Sequence, residues 1–167
     1  MKFETKCLHA GYSPKNGEPR VQPIVQSTTY TYYSAEEIGK LFYLQAAGYF
    51  YTRIANPTTN AAEEKITALE GGVATMCTAS GKSAVFYAML NILEAGDHFI
   101  SSSYVYGGSY NLFAHTFKKM GIEVTFVDQD LPLEELKKAI SPNTKAIFAE
   151  TIANPALRVL DIEKFAA

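Results

Sequence analysis

Thr78-Ala-Ser-Gly-Lys-Ser83 lies between two apolar stretches, Val73–Cys77 before it and Ala84–Leu93 after it. The pattern predicts a strand, a tight turn of small residues, and a helix. A helix that starts there turns its first backbone N–H groups, and the positive end of its macrodipole, toward the space above. Ser80 adds a hydroxyl, and Gly81 lacks the Cβ that would hold an anion at a distance. Two readings stay open from this stretch alone. It is a phosphate cup, or it is compact packing at a strand-to-helix turn.

Downstream, helical and extended segments alternate. Phe99–Ser101 reads as a strand, Ser109–Met120 as a helix, Glu123–Val127 as a strand, Leu133–Ile140 as a helix and Lys145–Ala149 as a strand. Asp161 is placed to cap a further helix. Short connections between such elements predict an α/β fold, a mainly parallel sheet covered by helices. Ligands of such sheets gather at the carboxyl ends of the strands. Thr78–Lys82, Tyr104–Gly108 and Glu150–Asn154 all follow expected strands, so three loops are expected to face one crevice. Gly107-Gly108 reads as a second anion turn or as a tight turn presenting Tyr106.

Upstream, Met1–Tyr33 shows no clear period, and Pro14, Gly17, Pro19 and Pro23 interrupt it. The segment is expected to lie extended across other structure. Ser34-Ala-Glu-Glu37 is a capping box for a helix continuing to Gly48. Tyr49–Ile54 is β-prone, and Asn56-Pro57 stops it. Asn60-Ala-Ala-Glu63 reads as a second capping box, and Gly71-Gly72 ends that helix. The expected division is an arm and subunit-contact segment at 1–60, then a cofactor-binding domain from 61 to 167.

With 47% hydrophobic and 19% charged residues, the composition is that of a globular domain with a core. A net charge of −2 with no basic stripe gives nucleic-acid binding no electrostatic support. No apolar run approaches a membrane span, and no leader-like segment opens the chain, so a cytoplasmic protein is expected. Cys7 and Cys77 lack metal-ligand spacing and read as unpaired, reduced thiols. His9, His98 and His115 have no i, i+3 or i, i+4 partner and read as ordinary polar or core residues, so no metal site is expected. Many of the 11 Tyr and 10 Phe crowd between Tyr30 and Tyr51, which suits an interface or a buried arm.

Four motifs carry a resemblance: Y-F-Y-T-R-I-A-N-P-T-T at Tyr49–Thr59, A-S-G at Ala79–Gly81, V-Y-G-G at Val105–Gly108 and A-E-T-I-A-N-P at Ala149–Pro155. Together they resemble the Cys/Met-metabolism family of pyridoxal-phosphate enzymes. Leu41–Ile54 and T-K-C-L-H-A-G-Y at Thr5–Tyr12 are most similar to its O-acetylhomoserine sulfhydrylases. The resemblance runs colinearly along the whole chain and implies a fold-type I transferase. It implies pyridoxal 5'-phosphate as cofactor, with Ser80, Gly81 and the backbone of Lys82 on its phosphate. Tyr106 would lie over the pyridine ring and act on the substrate, Asn154 would bond the ring hydroxyl, and Glu150 would sit behind the ring. Tyr51 and Arg53 would reach the phosphate in a neighbouring subunit, which requires a homo-oligomer, a dimer or tetramer. Arginine suits that task because its fork matches phosphate oxygens.

The implied reaction is γ-replacement on a small amino-acid substrate, O-acetylhomoserine, by sulfide or a thiol. A γ-lyase or cystathionine γ-synthase shares every motif, and a non-catalytic phosphate-ligand module is the alternative of another class. Two departures stand out. Lys82 occupies a position where relatives more often carry an uncharged side chain. It reads as solvated or phosphate-assisting, because a side chain at the cup must reach round the ring edge to meet the aldehyde. The family's covalently bonded lysine, and the aspartate that pairs the ring nitrogen, have no counterpart within positions 1–167. The chain is therefore expected to be the front part of a longer enzyme, inactive by itself.

Overall fold

Three runs of β-branched and aromatic residues form one parallel sheet in the order β2-β1-β3. They are β1 (His98–Ser102), β2 (Glu123–Val127) and β3 (Thr144–Phe148) in a computed structural model that describes all residues, Met1–Ala167. Parallel neighbours need crossovers. A helix α5 (Gly107–Asn111), continued by a π-helical turn at Leu112–Phe117, links β1 to β2, and α6 (Leu133–Lys137) links β2 to β3. The π-winding differs from the single α-helix expected over Ser109–Met120, and α6 is shorter than expected. The strands follow expectation to within about a residue at each end, the usual latitude of such boundaries.

Central β1 is buried along its whole length, as a strand flanked on both edges should be. Phe99 meets Phe113 edge-on, with ring centroids 5.0 Å apart at 83°. Phe113 meets Phe148 the same way at 4.9 Å. Met89, Leu93, Phe117 and Ile122 complete this core. His98 is buried in the sheet, its ring nitrogens 2.7 Å from Thr144 Oγ1 and 2.9 Å from Thr125 Oγ1. That is a core histidine with both polar atoms satisfied. Helix α4 (Gly81–Leu90) starts at Ser80, and α7 (Ile162–Ala166) starts at Asp161, whose carboxylate accepts the Lys164 N–H at 3.0 Å.

These elements belong to one of two compact units, Thr78–Ala167; the other is Met1–Cys77. The expected segment boundary at 60/61 falls inside a helix of the first unit, α3 (Pro57–Glu70).

Several expectations for the first unit are corrected. Phe3–His9 is a helix, α1, where none was predicted. Contacts distant in sequence hold it: Lys6 Nζ donates to the Ala68 carbonyl at 2.9 Å, and Lys65 Nζ to the Cys7 carbonyl at 3.1 Å. Helix α2 (Ala35–Phe42) has the expected Ser34 cap but ends well before Gly48, where Leu44 turns left-handed at φ 56°. Helix α3 begins one turn before the expected Asn60 box. Asn56 caps it and Pro57 sits at its start, where a missing N–H costs nothing. Tyr49–Ile54 contributes only one bridge, Tyr51 to Thr29. Val73–Cys77 is not a strand. No strand pairs with it, Val73 and Met76 are exposed, and it is tied by Thr75 Oγ1 to Thr67 and by the Cys77 N–H to Glu63. No helix is long and apolar enough to cross a membrane.

Phe113 is fully buried with aromatic rings against it on two sides. Phe113→Ala is expected to cost about 3–5 kcal/mol in urea unfolding; a loss under about 1 kcal/mol would contradict this core.

Candidate functional site

Four of the six site residues expected in the second unit are linked by direct contacts, and the other two start α4. At that start, Ser80 Oγ accepts the Ser83 N–H at 3.1 Å and lies 2.9 Å from Ser83 Oγ. The backbone N–H groups of Gly81 and Lys82 have no acceptor in the protein. The space that a Cβ of Gly81 would enter is open. Two unpaired donors thus stand at the positive end of the helix dipole.

The Lys82 side chain is half-buried. Its Nζ donates to Ser109 Oγ at 2.8 Å and stands 5.3 Å from the centroid of the Tyr106 ring. Burial holds its pKa below the ordinary lysine value, and the nearby Glu150 carboxylate opposes that fall. Ser109 is buried at the start of the α5 crossover, so its hydroxyl is a fixed acceptor. Gly108 shows why this loop needs glycine. A Cβ there would lie 2.6 Å from Tyr106 Cε1 and 3.2 Å from Lys82 Cε. The ring and the lysine stem fill the place of a side chain. Of the two readings of Gly107-Gly108, the turn that presents Tyr106 agrees with this packing.

Tyr106 follows β1, and Glu150 and Asn154 follow β3. Because β1 and β3 are parallel neighbours, their carboxyl ends lie side by side. The Glu150 carboxylate joins the two loops: Oε1 accepts the Tyr106 N–H at 3.0 Å and Oε2 the Asn154 N–H at 3.4 Å. Asn154 leads into Pro155 through a cis peptide bond. Of the three loops expected at strand ends, two follow strands; Thr78–Lys82 follows the unpaired segment instead and joins the group through Lys82.

Tyr51 and Arg53 lie in the first unit, with the Arg53 guanidinium 5.0 Å from the centre of the Tyr51 ring. Sequence reading passed over Ser109, and over buried Ser102 and Gln129. Ser102 Oγ donates to Gln129 Oε1 at 2.8 Å and accepts the Tyr104 N–H at 3.0 Å, which fixes the loop that carries Tyr106. A run of polar residues ending a buried strand was the available signal.

An anion fits this place by its donor set: two unpaired N–H groups and no acidic residue in the first turn of α4. The half-exposed Tyr106 ring offers a flat apolar face to an aromatic group. The arrangement defines an α/β domain with an anion-ready helix start beside the carboxyl ends of its strands.

The chain belongs to the Cys/Met metabolism PLP-dependent enzymes, a family it matches over residues 4–167. It is 48% identical over 163 residues to the O-acetyl-L-homoserine sulfhydrylase of Leptospira meyeri, covering 97% of this chain and 37% of that protein. Against the L-methionine gamma-lyase of Fusobacterium nucleatum subsp. polymorphum it is 42% identical, covering 95% of this chain and 40% of the other. A solved structure from Campylobacter jejuni, which carries N'-pyridoxyl-lysine-5'-monophosphate, superposes with TM-score 0.87 at 38% identity. It covers 99% of this chain and 40% of its own. The structural likeness shows a fold-type I domain. The chain spans about two fifths of the length of the relatives it matches.

Removing the Glu150 charge removes the influence that favours the ammonium form of Lys82, so Glu150→Gln should lower the Lys82 pKa further. An NMR titration of the Lys82 Hε–Cε signals reads it; an unchanged or raised value would contradict the geometry. Gly108→Ala should swing the Tyr106 ring off its seat, visible in a crystal structure of the variant as a changed side-chain rotamer. An unmoved ring would contradict the contact.

Proposed function

We propose that a protein of the relatives' length containing this chain carries out pyridoxal-phosphate-dependent γ-replacement. It takes O-acetylhomoserine and sulfide, or a thiol, to homocysteine or methionine, with release of acetate. The observation that carries the cofactor half is the pair of unpaired N–H groups at Gly81 and Lys82, with Tyr106 and the Glu150-tied loops beside them. The substrate half rests on the 48% identity to an O-acetyl-L-homoserine sulfhydrylase.

In this reading Ser80, Gly81 and the backbone of Lys82 bind the phosphate of the cofactor. Tyr106 covers one face of the ring, keeps water from it, and is placed to act on the substrate. Asn154 meets the ring hydroxyl. Glu150 works behind the ring by orienting the backbones of Tyr106 and Asn154. Bound pyridoxal phosphate supplies an electron sink for chemistry at the substrate's amino-bearing carbon. No residue of positions 1–167 takes the part of the covalently bonded lysine.

Tyr51 and Arg53 are assigned to the phosphate in a neighbouring subunit of a homo-oligomer, and residues 1–60 to subunit contact. The cation already seated over the Tyr51 ring supports treating the two as one unit. The substrate is a small amino acid, and the reaction is placed in the cytoplasm.

A γ-lyase is the second reading, favoured by the 42% identity to an L-methionine gamma-lyase. Product analysis separates the two. The full-length protein, given O-acetylhomoserine and sulfide, is expected to release acetate and homocysteine in equal amounts. Release of ammonia and a 2-oxo acid in their place would favour the lyase, and neither product set would overturn the assignment. Tyr106→Leu should lower kcat/KM by about a hundredfold or more, the range for a group that moves a proton. An unchanged kcat/KM would remove Tyr106 from the site.

A further inference from the structure

Lys82 is the one charged side chain on the first turn of α4, and its ammonium does not point back over the unpaired N–H groups of its own turn. It is turned across to α5, where it makes two contacts at once. Nζ donates to the buried Ser109 hydroxyl at 2.8 Å and lies 5.3 Å from the centre of the Tyr106 ring. The aliphatic stem takes part as well, with Cε 3.2 Å from where a Gly108 Cβ would sit. The ring edge fills the rest of that same space, with Cε1 2.6 Å from it. Lysine stem and tyrosine ring therefore share one notch, and each limits where the other can go.

The backbone closes the arrangement. Tyr106 donates its N–H to Glu150 at 3.0 Å, and its carbonyl accepts the Ser109 N–H at 2.7 Å. The main chain at Tyr106 is thus fixed on both sides, while its half-exposed ring packs against Lys82 and the Gly108 notch. A cation within about 6 Å of an aromatic face is attracted by the ring quadrupole, more strongly as water is excluded. The lysine is partly desolvated, and a fixed hydroxyl directs it.

We propose that Lys82 is a positioning residue for Tyr106: its ammonium, anchored on Ser109, holds the tyrosine ring in one orientation against the Gly108 notch. The phosphate-binding work of this turn is then done by backbone N–H groups, and the Lys82 side chain serves the ring. This rests on the reading that Tyr106 covers the cofactor and acts on the substrate. A loosely held ring would visit non-productive rotamers, and the loss would fall on turnover while cofactor binding stayed nearly constant.

Lys82→Met keeps the stem and removes the charge, Lys82→Arg keeps a cation, and Ser109→Ala removes the anchor while leaving the lysine. In the full-length protein, Lys82→Met and Ser109→Ala are each expected to lower kcat by about threefold to thirtyfold, the span of a cation–π contact. The pyridoxal-phosphate Kd should stay within about twofold, and Lys82→Arg should recover most of the lost kcat. Without ligand, the Lys82 Hε protons should resonate upfield through the Tyr106 ring current and return to ordinary positions in Tyr106→Leu. A Kd weakened about tenfold by Lys82→Met, with kcat unchanged at saturating cofactor, would make Lys82 a phosphate ligand and overturn the proposal. So would Hε shifts indifferent to Tyr106→Leu. The ligand-free measurement stands apart from the assigned reaction: ring-shifted Hε signals in a protein that never binds pyridoxal phosphate would sink the cofactor reading and leave the lysine–ring contact in place.

Discussion

One carboxylate holds the site in register. Glu150 accepts the N–H of Tyr106 through one oxygen and that of Asn154 through the other. Both bonds go to a charged acceptor, and the 3.0 Å bond to Tyr106 is the stronger of the two, the 3.4 Å bond to Asn154 the weaker. They are possible because β1 and β3 are parallel neighbours and deliver their following loops to the same sheet edge. The register in turn depends on a core in which Phe99, Phe113 and Phe148 interlock edge to face. Aromatic packing sets the strands, the strands set the loops, and Glu150 locks the loops to each other.

The helix start of α4 enters this frame through Lys82. Its unpaired N–H groups are a general property of helix beginnings and would not by themselves single out a ligand. What distinguishes this one is its company: a tyrosine ring, a buried serine and a carboxylate-tied loop, all joined to it by contacts within one compact unit. Gly108 takes part by absence, because a side chain there would occupy the space of the ring.

Much of this frame was legible in the sequence. Glu123–Val127 and the two other sheet strands were readable because each combines β-prone residues with a nearby turn. The caps at Ser34 and Asp161 were readable because capping is local chemistry. What sequence could not give was anything decided at long range. Helix α1 is held by Lys6 and Lys65 across to α3 and from it, which no local period reports. Val73–Cys77 has the composition of a strand but no partner, and an apolar run does not say whether one exists. Asn56 was read as the stop of a strand; it is a buried cap for α3 whose amide also bonds the Val25 carbonyl and Tyr30 hydroxyl of the arm. At the site, the loops could be named individually, while the Glu150 tie and the Lys82–Ser109 bond required the register of the sheet.

The central claim is that the start of α4 receives the phosphate of the cofactor, and amide NMR tests it most directly. With selective ¹⁵N-glycine and ¹⁵N-lysine labelling of the protein, pyridoxal phosphate should shift the Gly81 and Lys82 amides saturably and more than other labelled amides. Inorganic phosphate should move the same two signals at higher concentration. Unmoved Gly81 and Lys82 signals in a protein that still binds pyridoxal phosphate would contradict the claim and place the phosphate elsewhere.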